Sequence, residues 1–278
     1  MFDRLKRSFR LVGASAQVLR QDNHLMLFPV ISAVALLLVV AAFALPLFGF
    51  ESIDGIGRGG FYSAAFLFYV VEYFVIFYFN AALVGAVMIR LDGGSPTLGD
   101  GLRIANSRIG TILGYAVISA TVGVILRAIQ ERVGFIGRLI AGLIGAGWAV
   151  ATFLVVPVIV TSDRGATGAI SESTALLKRT WGENVAGQVG MNAAFGLLYF
   201  AVVAGAVLLG LLLATTAAAP VLFLLLAVIA VLAFLGCMLM HATLTGIYAA
   251  VLYRYAVGGD GAPGFDRSVL DAAFYRKS

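Results

Sequence analysis

Long apolar runs separated by short polar connections set the rhythm of this chain. Six runs, over 25–50, 61–89, 108–126, 139–161, 187–213 and 220–252, each reach about 20 residues, the length that carries a helix across ~30 Å of hydrocarbon. Between Glu183 and Arg254 the chain has no Asp, Glu, Lys or Arg at all. The pattern predicts an all-α, polytopic membrane protein with six transmembrane helices. The second and sixth runs are longer than a bilayer needs, so they tilt, kink or project.

The polar connections have a period of their own. In "FDRLKRSFRLVGASAQVLR", residues 2–20, the apolar positions Leu5, Phe9, Val12, Ala16 and Leu19 recur at steps of three and four, with bases between them. The series Leu98, Leu102, Ala105, Ile109 and the series Ile170, Thr174, Leu177, Trp181 repeat that spacing. After the last span, Phe265, Val269 and Ala272 continue it, with Phe274 nearby. This is the signature of amphipathic helices that lie in the headgroup layer. One such helix precedes spans one, three and five, and another, over 264–276, follows span six. The order predicts three copies of a unit made of one interfacial helix and one transmembrane hairpin, over 1–91, 95–163 and 166–254, within a single membrane domain covering 1–278.

Proline and glycine fit this frame. Pro29 and Pro157 fall near the same membrane face, where a missing N–H is tolerated in a first turn or a kink is absorbed by neighbours. Small residues at Gly110/Gly114 and at Gly137/Ala141/Gly145 permit close helix contact in the third and fourth spans.

Composition adds little beyond confirming the class: 61% hydrophobic, 12% charged, mean hydropathy +1.01. Charge placement adds more. Fifteen of the nineteen bases lie on one side: Arg4, Lys6, Arg7, Arg10, Arg20, Arg90, Arg103, Arg108, Arg164, Lys178, Arg179, Arg254, Arg267, Arg276 and Lys277. Only Arg58, Arg127, Arg132 and Arg138 lie on the other. Cytoplasmic loops carry the excess of Lys and Arg, so both termini are expected in the cytoplasm. The net charge of +5 thus follows from topology, and bases scattered over four segments form no nucleic-acid groove. The single Cys237 permits no intrachain disulfide. The first apolar run, about 25 residues long, reads as a retained span and not as a cleaved signal.

Candidate chemistry is sparse. "DGIGRGG", residues 54–60, matches a dinucleotide fingerprint as a string but joins two membrane helices and follows no strand. Cys237, Met238, Met240 and His241 are soft ligand types, yet on a helix the two methionines diverge from the Cys237–His241 face. No metal and no cofactor is expected. With only His24 and His241 as histidines, and no nucleophile elbow, zinc motif or phosphate loop, the chain is expected not to be an enzyme. The exceptional residue is Glu72, in "FYVVEYFVIFYFN". It lies within ~5–10 Å of the bilayer midplane at 1.5 Å per residue, where an acid costs about 2.5–3.5 kcal/mol on insertion scales and needs a protein-facing partner. Depth counting places His241 at a similar level, so Glu72 is expected to face His241, or Thr243 or Tyr248, with Asn80 two turns below.

The stretches "RLKRSFRLVGASAQVLRQDNHLMLFPVISA", "GLRIANSRIGTILGYAVISATVG", "ATFLVVPVIV" and "ALLKRTWGENVAGQ" resemble a family of uncharacterised bacterial multi-pass membrane proteins, catalogued as a domain of unknown function. The span arrangement is more distantly similar to membrane domains of glycerophosphodiester phosphodiesterases and to small Yip1-like proteins. The resemblance implies a multi-pass topology in the inner membrane of a bacterial cell and transfers no catalytic residue.

Two functions follow as expectations. The first is a non-enzymatic scaffold whose bases, Arg4, Lys6, Arg7, Arg10, Arg103, Arg108, Lys178 and Arg179, contact anionic lipid headgroups at ~1 kcal/mol each, with a second copy or a membrane protein as further partner. The other is a transporter or channel that uses Glu72, Asn80 and His241 as its polar path. An intramembrane lipid enzyme ranks third, for want of a nucleophile–base pair.

Overall fold

The computed structural model describes residues 15–49, 58–179, 181–213 and 219–258. Among these residues every regular element is a helix, and six helices are long and apolar enough to cross a membrane. The expected all-α, multi-pass architecture is the one observed. The segment 15–21 is helical (α1), and a 3-10 turn at Asn23–Met26 leads into α2 (Leu27–Gly49). Then follow α3 (Arg58–Leu91), α4 (Leu98–Ser107), α5 (Ile109–Arg132), α6 (Phe135–Ala151), α7 (Val155–Thr161), α8 (Ala166–Arg179), α9 (Trp181–Leu213) and α10 (Ala219–Ala256). The interfacial helix expected over 264–276 lies outside the described residues, as do Arg4, Lys6, Arg7 and Arg10.

The fourth span is not one helix but two. The span covers Phe135–Thr161, yet the regular α-helix ends at Ala151 and resumes at Val155, with turn bonds from the Phe153 and Val155 N–H groups between them. Pro157 sits in the first turn of α7, where its missing N–H costs nothing. The groups freed by the break are met by another helix. Ser173 of α8 donates to the Ala151 carbonyl at 2.7 Å and accepts from the Leu154 N–H at 3.2 Å. Non-helical backbone survives inside a membrane only where protein satisfies it in this way.

Burial is concentrated at one end of the bundle, the end that carries α4 and α8, called here the basic end. There α3 buries Ala81–Val87 without a gap, α7 buries Val155–Ile159, and α10 buries Thr243, Leu244 and then Gly246 through Tyr253. These three helix ends meet in the middle, and α2 and α5 pack around them. At the far end the same helices turn outward-facing aliphatics to their surroundings, among them Leu143, Leu212, Leu224 and Leu232.

Candidate functional site

The basic end is built from small residues at close approach. Gly101 of α4 rests on α3 and α2: a Cβ added there would stand 2.5 Å from the Ala82 carbonyl oxygen and 2.5 Å from the Phe28 ring. Gly85 meets Ile104 in the same contact, and Gly246 of α10 meets Leu83 of α3. Helices in lipid gain no hydrophobic attraction for one another, so van der Waals contact of this kind must replace it. The buried faces of the short helices accordingly mix small residues, Ser15 on α1, Gly101 and Ala105 on α4, Ala169 and Ser173 on α8, with the aliphatics Val18 and Leu19 on α1 and Leu176 and Leu177 on α8. The expected apolar series lie largely on these faces: Leu19, Ala105 and Leu177 are buried, and Ala16, Leu98, Leu102 and Ile170 pack against the core. Ile109 belongs to α5 and is exposed, and Trp181 opens α9. Of the expected small-residue seams, Gly114 approaches Ala166 and Gly145 approaches Leu126, while Gly110 meets nothing within 4 Å.

Polar clamps then fix this end. Thr97 caps α4 reciprocally with Asp100, whose carboxylate also accepts from Arg103 at 2.6 Å. The Thr97 hydroxyl first, and then its backbone N–H and the Arg103 charge, hold the Asp100 carboxyl below its usual range. Arg254 at the end of α10 pairs with Asp92 just past α3 at 2.5 Å. Arg108 pairs with Asp163 and Arg164 with Glu172. The Tyr253 hydroxyl is bonded to that of Thr161 at 2.8 Å, and the Tyr78 hydroxyl donates to Asn106 at 2.8 Å. Of the bases expected at lipid headgroups, Arg103 and Lys178 point outward, and Arg103 is 77% exposed despite its acid partner. Arg108 is 26% exposed and serves the pair with Asp163. Arg179 closes α8.

The three intramembrane candidates do not meet. His241 is held inside its own hairpin. Its Nδ1 lies 3.1 Å from the Tyr199 hydroxyl, its Nε2 lies 3.2 Å from Asn192 Oδ1, and its ring stacks on Phe195 at 4.4 Å. The expected Glu72–His241 pair is therefore not formed, because α9 occupies both ring nitrogens. Thr243 donates to the Leu239 carbonyl of its own helix. Asn80 faces α10 at Gly246, where its Oδ1 would lie 3.2 Å from an added Cβ. Gly246 and His241 are about 140° apart around α10 at 3.6 residues per turn, so Asn80 and His241 border different contacts. Glu72 is half-buried on the strip of α3 between Phe68, which meets Phe43 of α2, and Tyr69, which Arg127 of α5 reaches at 2.5 Å.

Sequence reasoning missed the α3–α5 seam, where Tyr69 meets Arg127, Tyr73 meets Gly123, and Phe77 stacks on Tyr115 at 4.3 Å. It also missed Ser173. The seam had a signal: two antiparallel helices whose partners advance together by whole turns. Among the described residues no group of three or more His, Cys, Asp or Glu is gathered where it could hold a metal ion.

Comparison with protein families identifies the chain as a member of the family of unknown function DUF6159, matched over residues 60–265. No curated protein and no solved structure matches it.

Proposed function

With membership of that family as the premise, we propose that this protein is a non-enzymatic membrane platform whose packed basic end holds anionic lipid headgroups. The observation that supports this reading most is the asymmetry of packing. Close helix contacts, ion pairs and the break plugged by Ser173 gather at the end that also presents Arg103 and Lys178. A base near an anionic leaflet gains about 1 kcal/mol, and a rigid mount spares the entropy of ordering it on binding. In this reading the platform faces the cytoplasm of a bacterial cell, as the excess of bases there favours. Interfacial helices over 2–20, α4 and α8 then act as equivalent parts of three repeated units. A kinship with membrane domains of glycerophosphodiester phosphodiesterases and Yip1-like proteins belongs to the same proposal and rests on the hydropathy outline alone.

Transport is the weaker reading, because Glu72, Asn80 and His241 border separate helix contacts and offer no shared path. Native mass spectrometry of the protein released from nanodiscs of mixed phosphatidylglycerol and phosphatidylcholine tests the platform. Retention of the anionic lipid should exceed that of the zwitterionic one. Replacing both Arg103→Gln and Lys178→Gln should weaken it on the order of tenfold, from about 1 kcal/mol per base. Equal retention of the two lipids by the parent protein would sink the platform reading.

A further inference from the structure

At the basic end, the guanidinium of Arg90 is partly buried without a carboxylate partner, whereas Arg20, which also has none among the described residues, is exposed. Arg103, Arg108, Arg164 and Arg254 each pair with a carboxylate. The bonds of Arg90 are long: one N–H reaches the Gly94 carbonyl at 3.3 Å and another reaches Gln21 Oε1 at 3.5 Å. A guanidinium carries five donors in a planar fork, so several remain over. They border a cleft of about 190 Å³ lined by Val18, Gln21, Arg90, Leu91 and Gly93.

The cleft has the chemistry of a phosphate seat with an apolar floor. Val18 and Leu91, buried at 3% and 5% exposure, supply the floor. Gln21 turns its carbonyl oxygen toward Arg90, which leaves its amide N–H donors for a ligand oxygen. Gly93 adopts φ +85°, and a Cβ there would meet nothing within 4 Å, so the wall stays open on that side. The backbone N–H groups of Asp92, Gly93 and Gly94 cap the end of α3 on Met88, Arg90 and Ile89 and add no donors to the cleft, so Arg90 and Gln21 are the donors it offers. Two acids adjoin the cleft along the chain: Asp92 is committed to Arg254, and Asp22 follows Gln21 at the start of the 3-10 turn. Arg90 is the penultimate residue of the span Tyr62–Leu91, the depth at which lipid phosphates lie. Capping the α3 C-terminus uses one of its donors and accounts for neither the cleft nor the turn of Gln21.

We propose that the Arg90–Gln21 cleft, between α1 and the end of α3, binds a single phosphate group, that of an anionic phospholipid, in the bidentate manner guanidinium groups use for phosphate. The proposal rests on the platform reading and names one discrete site within it. The test counts tightly held phosphatidylglycerol per protein by native mass spectrometry, for the parent, Arg90→Gln, Arg90→Lys and Gln21→Ala, with a parallel arm of inorganic phosphate in detergent without lipid. Arg90→Gln should lose one retained lipid and weaken that step at least tenfold. Arg90→Lys, which keeps the charge and loses the fork, should fall between. Should Arg90→Gln fail to fold, Gln21→Ala on the exposed side carries the test alone, with a several-fold loss expected. If Arg103→Gln with Lys178→Gln lowers retention while every cleft variant matches the parent, the site is overturned and the platform stands. If the parent prefers no anionic lipid but binds inorganic phosphate in an Arg90-dependent way, the site stands with a soluble occupant and the platform falls. If neither lipid nor phosphate depends on Arg90 or Gln21, the site is overturned.

Discussion

The two ends of this bundle are both rich in apolar residues, yet they are built by different rules. At the basic end Gly85, Gly101 and Gly246 bring backbones together, hydroxyls and ion pairs lock them, and the ends of α3, α7 and α10 are buried. At the far end Leu212, Leu224 and Leu232 face outward, and Gly142 and Gly205 have nothing within 4 Å where a Cβ would stand, while Gly210 lies against Phe223 of its own hairpin. In water the greasier end would be the core. In lipid greasiness gives helices no reason to associate, so small residues and paired polar groups decide where tertiary structure forms.

The comparison can be broken most forcefully at Gly101. Leucine there must displace the Ala82 backbone or the Phe28 ring, and overpacking of this kind costs about 3 kcal/mol or more. Leucine at Gly205 should change stability by about 0.5 kcal/mol or less. Unfolding of both variants in detergent, followed by circular dichroism, checks the contrast. Equal effects would erase it.

Ser173→Ala comes next. It leaves the Ala151 carbonyl and the Leu154 N–H unpaired in a buried break, at roughly 1–3 kcal/mol. Thr121→Ala, which removes only a bond to the Val117 carbonyl on an exposed face, should cost a few tenths of a kcal/mol. The same unfolding assay ranks the two.

Arg254→Gln should cost about 1 kcal/mol or less, because its partner Asp92 is 63% exposed and water screens the pair. Added salt should shrink that difference further.

The smallest effect is a pH dependence at α4. The Asp100 carboxyl is held below its usual range by Thr97, so its stabilising contribution is complete above about pH 4. That contribution is lost as pH falls through the folded-state value. The protection factor of the Asp100 amide, that is, exchange corrected for its intrinsic pH dependence, should fall on acidification in the parent and stay flat for the same amide in Asp100→Asn.

Much of this comparison was legible in the chain. Hydropathy located all six spans, because a bilayer imposes one length on every crossing, and spacing located α4 and α8. The break at Thr152–Leu154 was not legible: the apolar pattern runs straight through it, and its plug, Ser173, comes from another helix. The apolar series marked the buried faces of the short helices through Leu19, Leu102 and Leu177, but spacing alone did not show that Ser15, Gly101, Ala169 and Ser173 share those faces and allow the close approach. The partner of His241 was misjudged for a simpler reason. Depth counting ranks every helix at one level equally, while a hairpin pairs its neighbours first. Along α9 and α10 the partners step in opposite directions, Gly210 with Phe223, Tyr199 with Phe234, Asn192 with His241. Counting back from the hairpin turn would have found Asn192.

Distance distributions between spin labels test the central claim most directly, that one end of this protein is a rigid platform and the other is not. In a Cys237→Ser background in anionic nanodiscs, labels replacing Arg103 and Lys178 report on the basic end. Labels replacing Ile136 and Val221, both exposed, report on the far end. The expected result is a single narrow distribution between positions 103 and 178 and a clearly broader one between 136 and 221. Equal widths, or a broader distribution at the basic end, would contradict the account.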